Sequence, residues 1–407
     1  MSKSFQPKII VILFFCAFIS FNSAMSQIGT WTQKSNFAGF ARARAISFSI
    51  GTKGYIGTGR GENNMDAIDF WEYDPQNDTW TQKADLGNTG RIGGTGFSIG
   101  NKGYAGIGAS NGQPKSDIWE YNPQNNTWVQ KAFYPGIGKS NAVSFNIGNF
   151  GYVGTGSPSG TIGNETKDFW EYNPANNSWS QKTDFGGIQR NRAIGFSIGT
   201  KGYIGTGYHF DGTRPISFND FWEYDPQNNT WTEKASVQEL ERNNGVGFST
   251  DSKGYIGMGY NYKTDFWQYD PNTNSWLQVL SFSGEGRLFA SSFSIGNKGY
   301  IGMGYSVGTN GTILYNDLWE YEEQPLSLLE IELQNKLKVY PNPTTNIINI
   351  STDLNIIEII VFDSQGKEQL KTTKHTGINI SSFSSGTYYL NIKTATGETV
   401  KKSLKIK

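Results

Sequence analysis

The chain has 407 residues, 50 of them glycine and 14% aromatic, with 35 Lys and Arg balanced by 35 Asp and Glu. That length holds one large all-β domain and a smaller one, and the balanced charge excludes a global field that would draw the protein to nucleic acid or an anionic membrane. One cysteine, Cys16, and two histidines, His209 and His375, are too few ligands for a zinc or copper centre, so no cofactor and no metal are expected.

Residues 1–26 read as a secretory signal. Lys3 and Lys8 precede a mostly apolar run from Ile9 to Phe21, too short to span a bilayer, and Ala24 and Ser26 stand at −3 and −1 of a cut before Gln27. Cys16 lies inside this segment without a lipobox, so the mature chain has no disulfide and no thiolate chemistry. No later segment is long and apolar enough to cross a membrane as a helix. The product is expected to be exported through the periplasm.

Repetition begins at once. Trp31, Trp80, Trp128, Trp179, Trp231 and Trp276 recur at intervals of 49, 48, 51, 52 and 45 residues, each within a short strand-like piece such as Trp80-Thr-Gln-Lys83. Between them the order is constant. A strand around Phe48, Phe97, Phe145, Phe196, Phe248 or Phe293 comes first, then one led by Tyr55, Tyr104, Tyr152, Tyr203, Tyr255 or Tyr300. A variable stretch and an Asp-Phe-Trp-Glu-Tyr segment (69–73 and its counterparts) complete the unit before an Asn/Pro turn leads to the next tryptophan. A period near fifty with strand chemistry in each unit predicts a β-propeller of four-stranded blades, here six. The first tryptophan strand precedes every triplet and none follows Tyr321, so the N-terminal strand is predicted to complete the sixth blade.

These aromatic and turn signals resemble the Kelch-type propeller family over residues 27–323, with Gly57-Thr58-Gly59 in place of the family's double glycine. After a linker at 324–335 the composition shifts to Lys, Ile, Thr and Ser, and residues 336–407 read as a small β-sandwich of about seven strands. Val339-Tyr-Pro-Asn-Pro343, Ile360-Val-Phe-Asp-Ser-Gln-Gly366, Ser385-Gly-Thr-Tyr-Tyr-Leu390 and the tail Lys401 to Lys407 resemble the type A C-terminal sorting domain of the type IX secretion system of Bacteroidetes-like bacteria. The resemblance implies passage across the outer membrane by the secretion machinery, removal of the domain, and release or surface anchoring of the propeller.

Candidate ligand residues concentrate on one face. In a four-stranded meander the loops after the second and fourth strands share a face, and variation is greatest after the second strand, where function on a rigid scaffold tends to lie. Arg60, Glu62, Tyr208, His209, Tyr260, Tyr262 and Tyr305 stand there, aromatics suited to stacking on sugar rings. A base also precedes each first strand: Arg42, Arg91, Lys139, Arg190, Arg242 and Arg287. These six are expected either to ring the mouth of a central channel and bind an acidic glycan, or to pair with the repeated Asp69, Asp117, Asp168, Asp220, Asp265 and Asp317 and the Glu or Gln three residues on.

Catalytic signatures are absent or broken. Gly136-Ile-Gly-Lys-Ser140 lacks the leading glycine and the helix of a phosphate loop. The Tyr–Cys link of Kelch-type copper-radical oxidases is impossible without a mature cysteine. The expected function is therefore a non-catalytic secreted or cell-surface propeller that binds a glycan or a protein, with no catalytic residues assigned. The alternative is a sugar-processing enzyme resembling a Kelch-type sialic-acid mutarotase or a sialidase, with Arg60 and Glu62 as the pair to test.

Overall fold

The computed structural model describes residues 29–158, 163–237, 241–309, 311–323, 336–363, 367–395 and 399–406. The signal segment at 1–26 and the linker at 324–335 lie outside the described residues. The chain forms two units, Met1–Glu322 and Glu323–Lys407.

In the first unit the described residues build six four-stranded antiparallel sheets. The first has strands Ile46–Ile50, Lys53–Gly57, Phe70–Asp74 and Thr79–Lys83, and its pattern recurs down the chain. The sixth sheet is different. Its first three strands are Ser291–Ile295, Lys298–Gly302 and Leu318–Glu322, and its fourth is Thr30–Lys34, paired in register so that Trp31 faces Tyr321 and Lys34 faces Leu318. The first and last described strands of this unit thus share one sheet.

The hydrophobic core lies between neighbouring sheets. One cluster joins Ile46 and Phe48 of the first sheet to Ala105 and Tyr121 of the second, and another joins Phe293 and Tyr300 of the sixth to Ile56 and Tyr73 of the first. A glycine before the second-strand tyrosine makes this approach possible. A Cβ on Gly54 would lie 2.2 Å from the Phe293 ring, and one on Gly103 2.3 Å from that of Phe48. Gly57 makes room for a ring within its own sheet, since its Cβ would meet Phe70 at 2.2 Å.

Each repeated tryptophan also crosses an interface. The indole N–H of Trp80 donates to the Ser35 carbonyl, that of Trp128 to Ala84, and that of Trp31 to Leu280, at 2.9–3.1 Å. Around the inner end the ring is sewn by backbone. Gly93 N–H donates to Arg44 C=O, Asn141 to Gly93, Arg192 to Asn141, Asn244 to Arg192, Phe289 to Asn244, and Arg44 to Phe289, a closed circuit of six bonds at 2.7–3.3 Å. The two ring-centre cavities, about 130 and 190 Å³, are lined by residues from all six sheets and mark a central channel.

The second unit has a three-stranded sheet (Lys338–Tyr340, Ile347–Ser351, Ile378–Asn379) and a four-stranded one ordered Glu368–Thr372, Ile356–Phe362, Gly386–Thr394, Thr399–Ile406. Alternation sends Ile359 and Val361 inward, where they share one core with Ile348, Ile350, Leu390 and Leu404. Among the described residues no helix is long and apolar enough to cross a membrane.

Candidate functional site at the channel mouth

The polar residues that repeat in every sheet hold the scaffold together. Arg42 is fully buried, and its Nη1 donates to the Thr58 carbonyl at 3.0 Å while both Nη atoms bind the Asp69 carboxylate at 2.5 and 2.9 Å. Trp71 Nε1 donates to the same carboxylate at 2.7 Å. Arg91–Asp117, Lys139–Asp168, Arg190–Asp220, Arg242–Asp265 and Arg287–Asp317 repeat the pair, every cation side chain being 0–2% exposed. Burial by itself would raise the Asp69 carboxyl, but the Arg42 hydrogen bonds and charge, with the Trp71 indole, bring it below the usual carboxylate range. The repeated glutamates serve the tyrosines instead: Tyr55 Oη donates to Glu72 at 2.5 Å and Tyr152 to Glu171 at 2.6 Å.

What lines the mouth stands two residues beyond each buried cation: Arg44, Gly93, Asn141, Arg192, Asn244 and Phe289, the members of the backbone circuit. Each has φ between 52 and 61°, a left-handed conformation that costs little for Gly and Asn and more for Arg and Phe. Arg44 and Arg192 come from the first and fourth sheets, three steps apart around the ring. Among the described residues neither forms an ion pair, whereas every repeated base does. The Arg44 guanidinium lies 4.0 Å from the Phe289 ring centroid, and Arg192 lies 5.6 Å from the same centroid and 5.0 Å from that of Tyr208. Burial, then the charge of Arg192, lowers the pKa of Arg44 against the opposing pull of Tyr305; burial likewise lowers that of Arg192 against Tyr208, Tyr305 and Glu165. Among the described residues, the Nε of Arg192 and the amide oxygens of Asn191 and Asn244 are buried with no hydrogen-bond partner. Two like charges held close and half-buried, with no ion pair among the described residues, are suited to receive an anion. The cavity of about 130 Å³ above the circuit accommodates a carboxylate or sulfate group with its waters.

A second ring surrounds the first. Arg60, Ala109, Ser157, Tyr208, Tyr260 and Tyr305 donate backbone N–H bonds of 2.8–3.0 Å to Ala43, Ile92, Ser140, Asn191, Asn243 and Leu288, each just before a mouth residue. Four of the sequence candidates therefore occupy equivalent positions, and three tyrosines fall on consecutive sheets. Tyr305 stacks on Phe289 at 6.0 Å. His209 Nδ1 lies 3.1 Å from Glu165 Oε2, whose side chain is fully buried. Arg60 is bound by Asp66 at 2.7 Å, and Glu62 is exposed on a short 3-10 turn, so no ion pair joins Arg60 to Glu62. Tyr260 and Tyr262 are 51% and 37% exposed.

Arg44 and Arg192 are the site residues that sequence reasoning missed. The signal existed: aligned on the repeated base, the second position beyond it reads Arg, Gly, Asn, Arg, Asn, Phe, so a second base appears in two repeats of the six. Among the described residues no group of three or more His, Cys, Asp or Glu side chains is placed to hold a metal ion.

Comparison with known proteins bears on both units. Residues 338–407 match the family described as secretion system C-terminal sorting domain. Over 72 residues the chain is 42% identical to Beta-agarase D of Zobellia galactanivorans, a stretch amounting to 17% of this chain and 15% of that protein. The solved structure of YjhT matches 69% of this chain and 99% of its own, with a TM-score of 0.57 and 17% sequence identity. That likeness concerns fold alone and supports a Kelch-like propeller for the first unit. The second unit is a type IX sorting domain, which marks the protein for export to the cell surface or the extracellular space.

Proposed function

We propose that this exported propeller is a binding protein that captures an acidic glycan by inserting a carboxylate or sulfate into the channel mouth between Arg44 and Arg192. One observation carries the reading: among the described residues these two guanidiniums at the mouth form no ion pair, whereas each repeated base is paired with an aspartate. A guanidinium offers a planar two-pronged donor to such groups. Titration calorimetry of the secreted protein with carboxylated, sulfated and neutral oligosaccharides tests it. Acidic sugars should bind and neutral ones should not. Arg44→Ala and Arg192→Ala should each weaken binding by about 10- to 100-fold, the loss of one charge-assisted contact. Equal affinity for neutral sugars would sink the reading.

A second reading, sugar processing, is favoured by the buried Glu165 that holds Nδ1 of His209 beside the Arg192 end of the mouth. A carboxylate that fixes an imidazole in this way prepares it for proton transfer. Incubation with acidic oligosaccharides and sialosides, following anomerisation and chain cleavage, separates the two. Turnover that disappears in Glu165→Gln would replace binding with catalysis.

Export is testable separately. Deleting residues 338–407, the sorting-domain match, should leave the protein in the periplasm and remove it from the cell surface and medium, as fractionation and immunoblotting would show. Undiminished release would remove the sorting role.

A further inference from the structure

Left-handed backbone conformation is cheap for glycine and asparagine and unfavourable for a large side chain. In the first unit, nearly all non-glycine residues with positive φ occupy positions that recur from sheet to sheet: the mouth ring, the residue after the second strand (Thr58, Ile107, Thr155 and their kin) and the turn before each tryptophan strand (Asp78, Asn126 and their kin). Among the described residues, five stand outside these positions: Asn63, Asn64, Asn111, Asn261 and Tyr262. Four are asparagines. Tyr262, with φ of 53°, is the exception.

Its setting is firm. The loop after the second strand of the fifth sheet makes a short 3-10 turn, Tyr260–Tyr262, much as the first sheet does with Glu62–Asn64. The left-handed pair inside that turn is Asn63–Asn64 in one case and Asn261–Tyr262 in the other. Tyr260 N–H is tied at 2.9 Å to the carbonyl of Asn243, the neighbour of mouth residue Asn244. The loop before the sixth sheet packs so closely that a Cβ on Gly286 would lie 1.8 Å from the Tyr262 carbonyl oxygen. Both tyrosines nevertheless remain among the exposed large hydrophobic residues, at 51% and 37%. A left-handed backbone that displays an aromatic residue to solvent beside the channel mouth is the kind of outlier that points to a ligand.

We propose that Tyr260 and Tyr262 form a stacking subsite for the sugar ring adjoining the acidic one. The apolar C–H face of a pyranose lies against the electron-rich face of a phenol, so the chain would run from the mouth outward over the fifth sheet. This deepens the acidic-glycan reading and rests on it.

The test compares galacturonic acid with tetragalacturonate on the secreted protein and its Tyr262→Asn variant. The wild type should bind the tetramer more tightly than the monomer. Tyr262→Asn should reduce the tetramer-to-monomer affinity ratio about tenfold, the scale of one lost stacking contact. The same variant should melt about 2 °C higher through relief of the left-handed strain, which also shows that it folds. An unchanged ratio overturns the subsite while leaving the mouth reading in place. Failure of galacturonic acid to bind, with the tetramer still weakened by Tyr262→Asn, overturns the mouth reading and with it the placement of the subsite next to an anchored acidic sugar. No binding of either probe overturns both.

Discussion

Removal of residues 27–34 will lower the melting temperature of the secreted protein by more than about 10 °C. The strand Thr30–Lys34 supplies the fourth strand of the sixth sheet. Its loss exposes the edge of Leu318–Glu322 and empties the space between the fifth and sixth sheets. There Trp31 meets Phe266 and Phe282 at 5.1 Å, meets Tyr321 at 5.0 Å, and donates to Leu280 across the interface. Each of the other repeated tryptophans makes an equivalent bond to a carbonyl of the neighbouring sheet, so Trp31 closes the last gap in the ring. Trp31→Ala alone should cost about 3–5 kcal/mol, the usual range for emptying a large aromatic site. Thermal melts of both variants check this. A melt unchanged by the deletion would mean that the ring is held shut without its N-terminal strand.

Asp69→Ala should destabilise the protein by about 3–5 kcal/mol, because it strands the fully buried Arg42 without a counter-ion. Replacing both partners by apolar residues should recover much of that loss, since an empty buried charge is costlier than no charge. The pair also sets an acid limit. Asp69, Asp117 and Asp168 all have carboxyl pKa values below the ordinary one, through the competition between burial and their buried cations. A carboxyl with a folded pKa depressed below its unfolded value of about 3.9 contributes stability that is fully present above that value. The contribution disappears as pH falls through the folded pKa. Stability should therefore decline steeply below about pH 4, and Asp69→Asn should make that decline shallower. Denaturant melts at a series of acid pH values decide it; an identical acid slope in Asp69→Asn would refute the assignment.

The regular part of this protein was legible because its physics is local and repeated. Phe48, Tyr55, Trp71 and Trp80 return about every fifty residues with strand alternation between them, and alternation in a strand needs no knowledge of the partner. The second-ring candidates Arg60, Tyr208, Tyr260 and Tyr305 were legible for a related reason. They follow the invariant glycine run of the second strand, so their common position is a matter of counting. The role of the six bases was open between a cation ring and structural pairing, and the geometry shows each one buried against an aspartate about 23–30 residues away in sequence. The glutamates offered as further partners turned instead to the tyrosines opposite them, as strand register requires.

By itself the sequence determined the repeat, its all-β character, the strand that closes the ring and the sorting tail, since each is written in spacing and alternation along the chain. Only tertiary structure decided the site. Arg44 and Arg192 are 148 residues apart in the numbering, and although the repeat alignment sets them apart from Arg42 and Arg190 two residues earlier, it does not say which arginine of each pair is neutralised. The left-handed turn of the backbone circuit aims one arginine of each pair at the channel while the strand behind it buries the other against its aspartate. Whether a charge is neutralised depends on what the closed ring brings against it, and that closure is a property of all six sheets together.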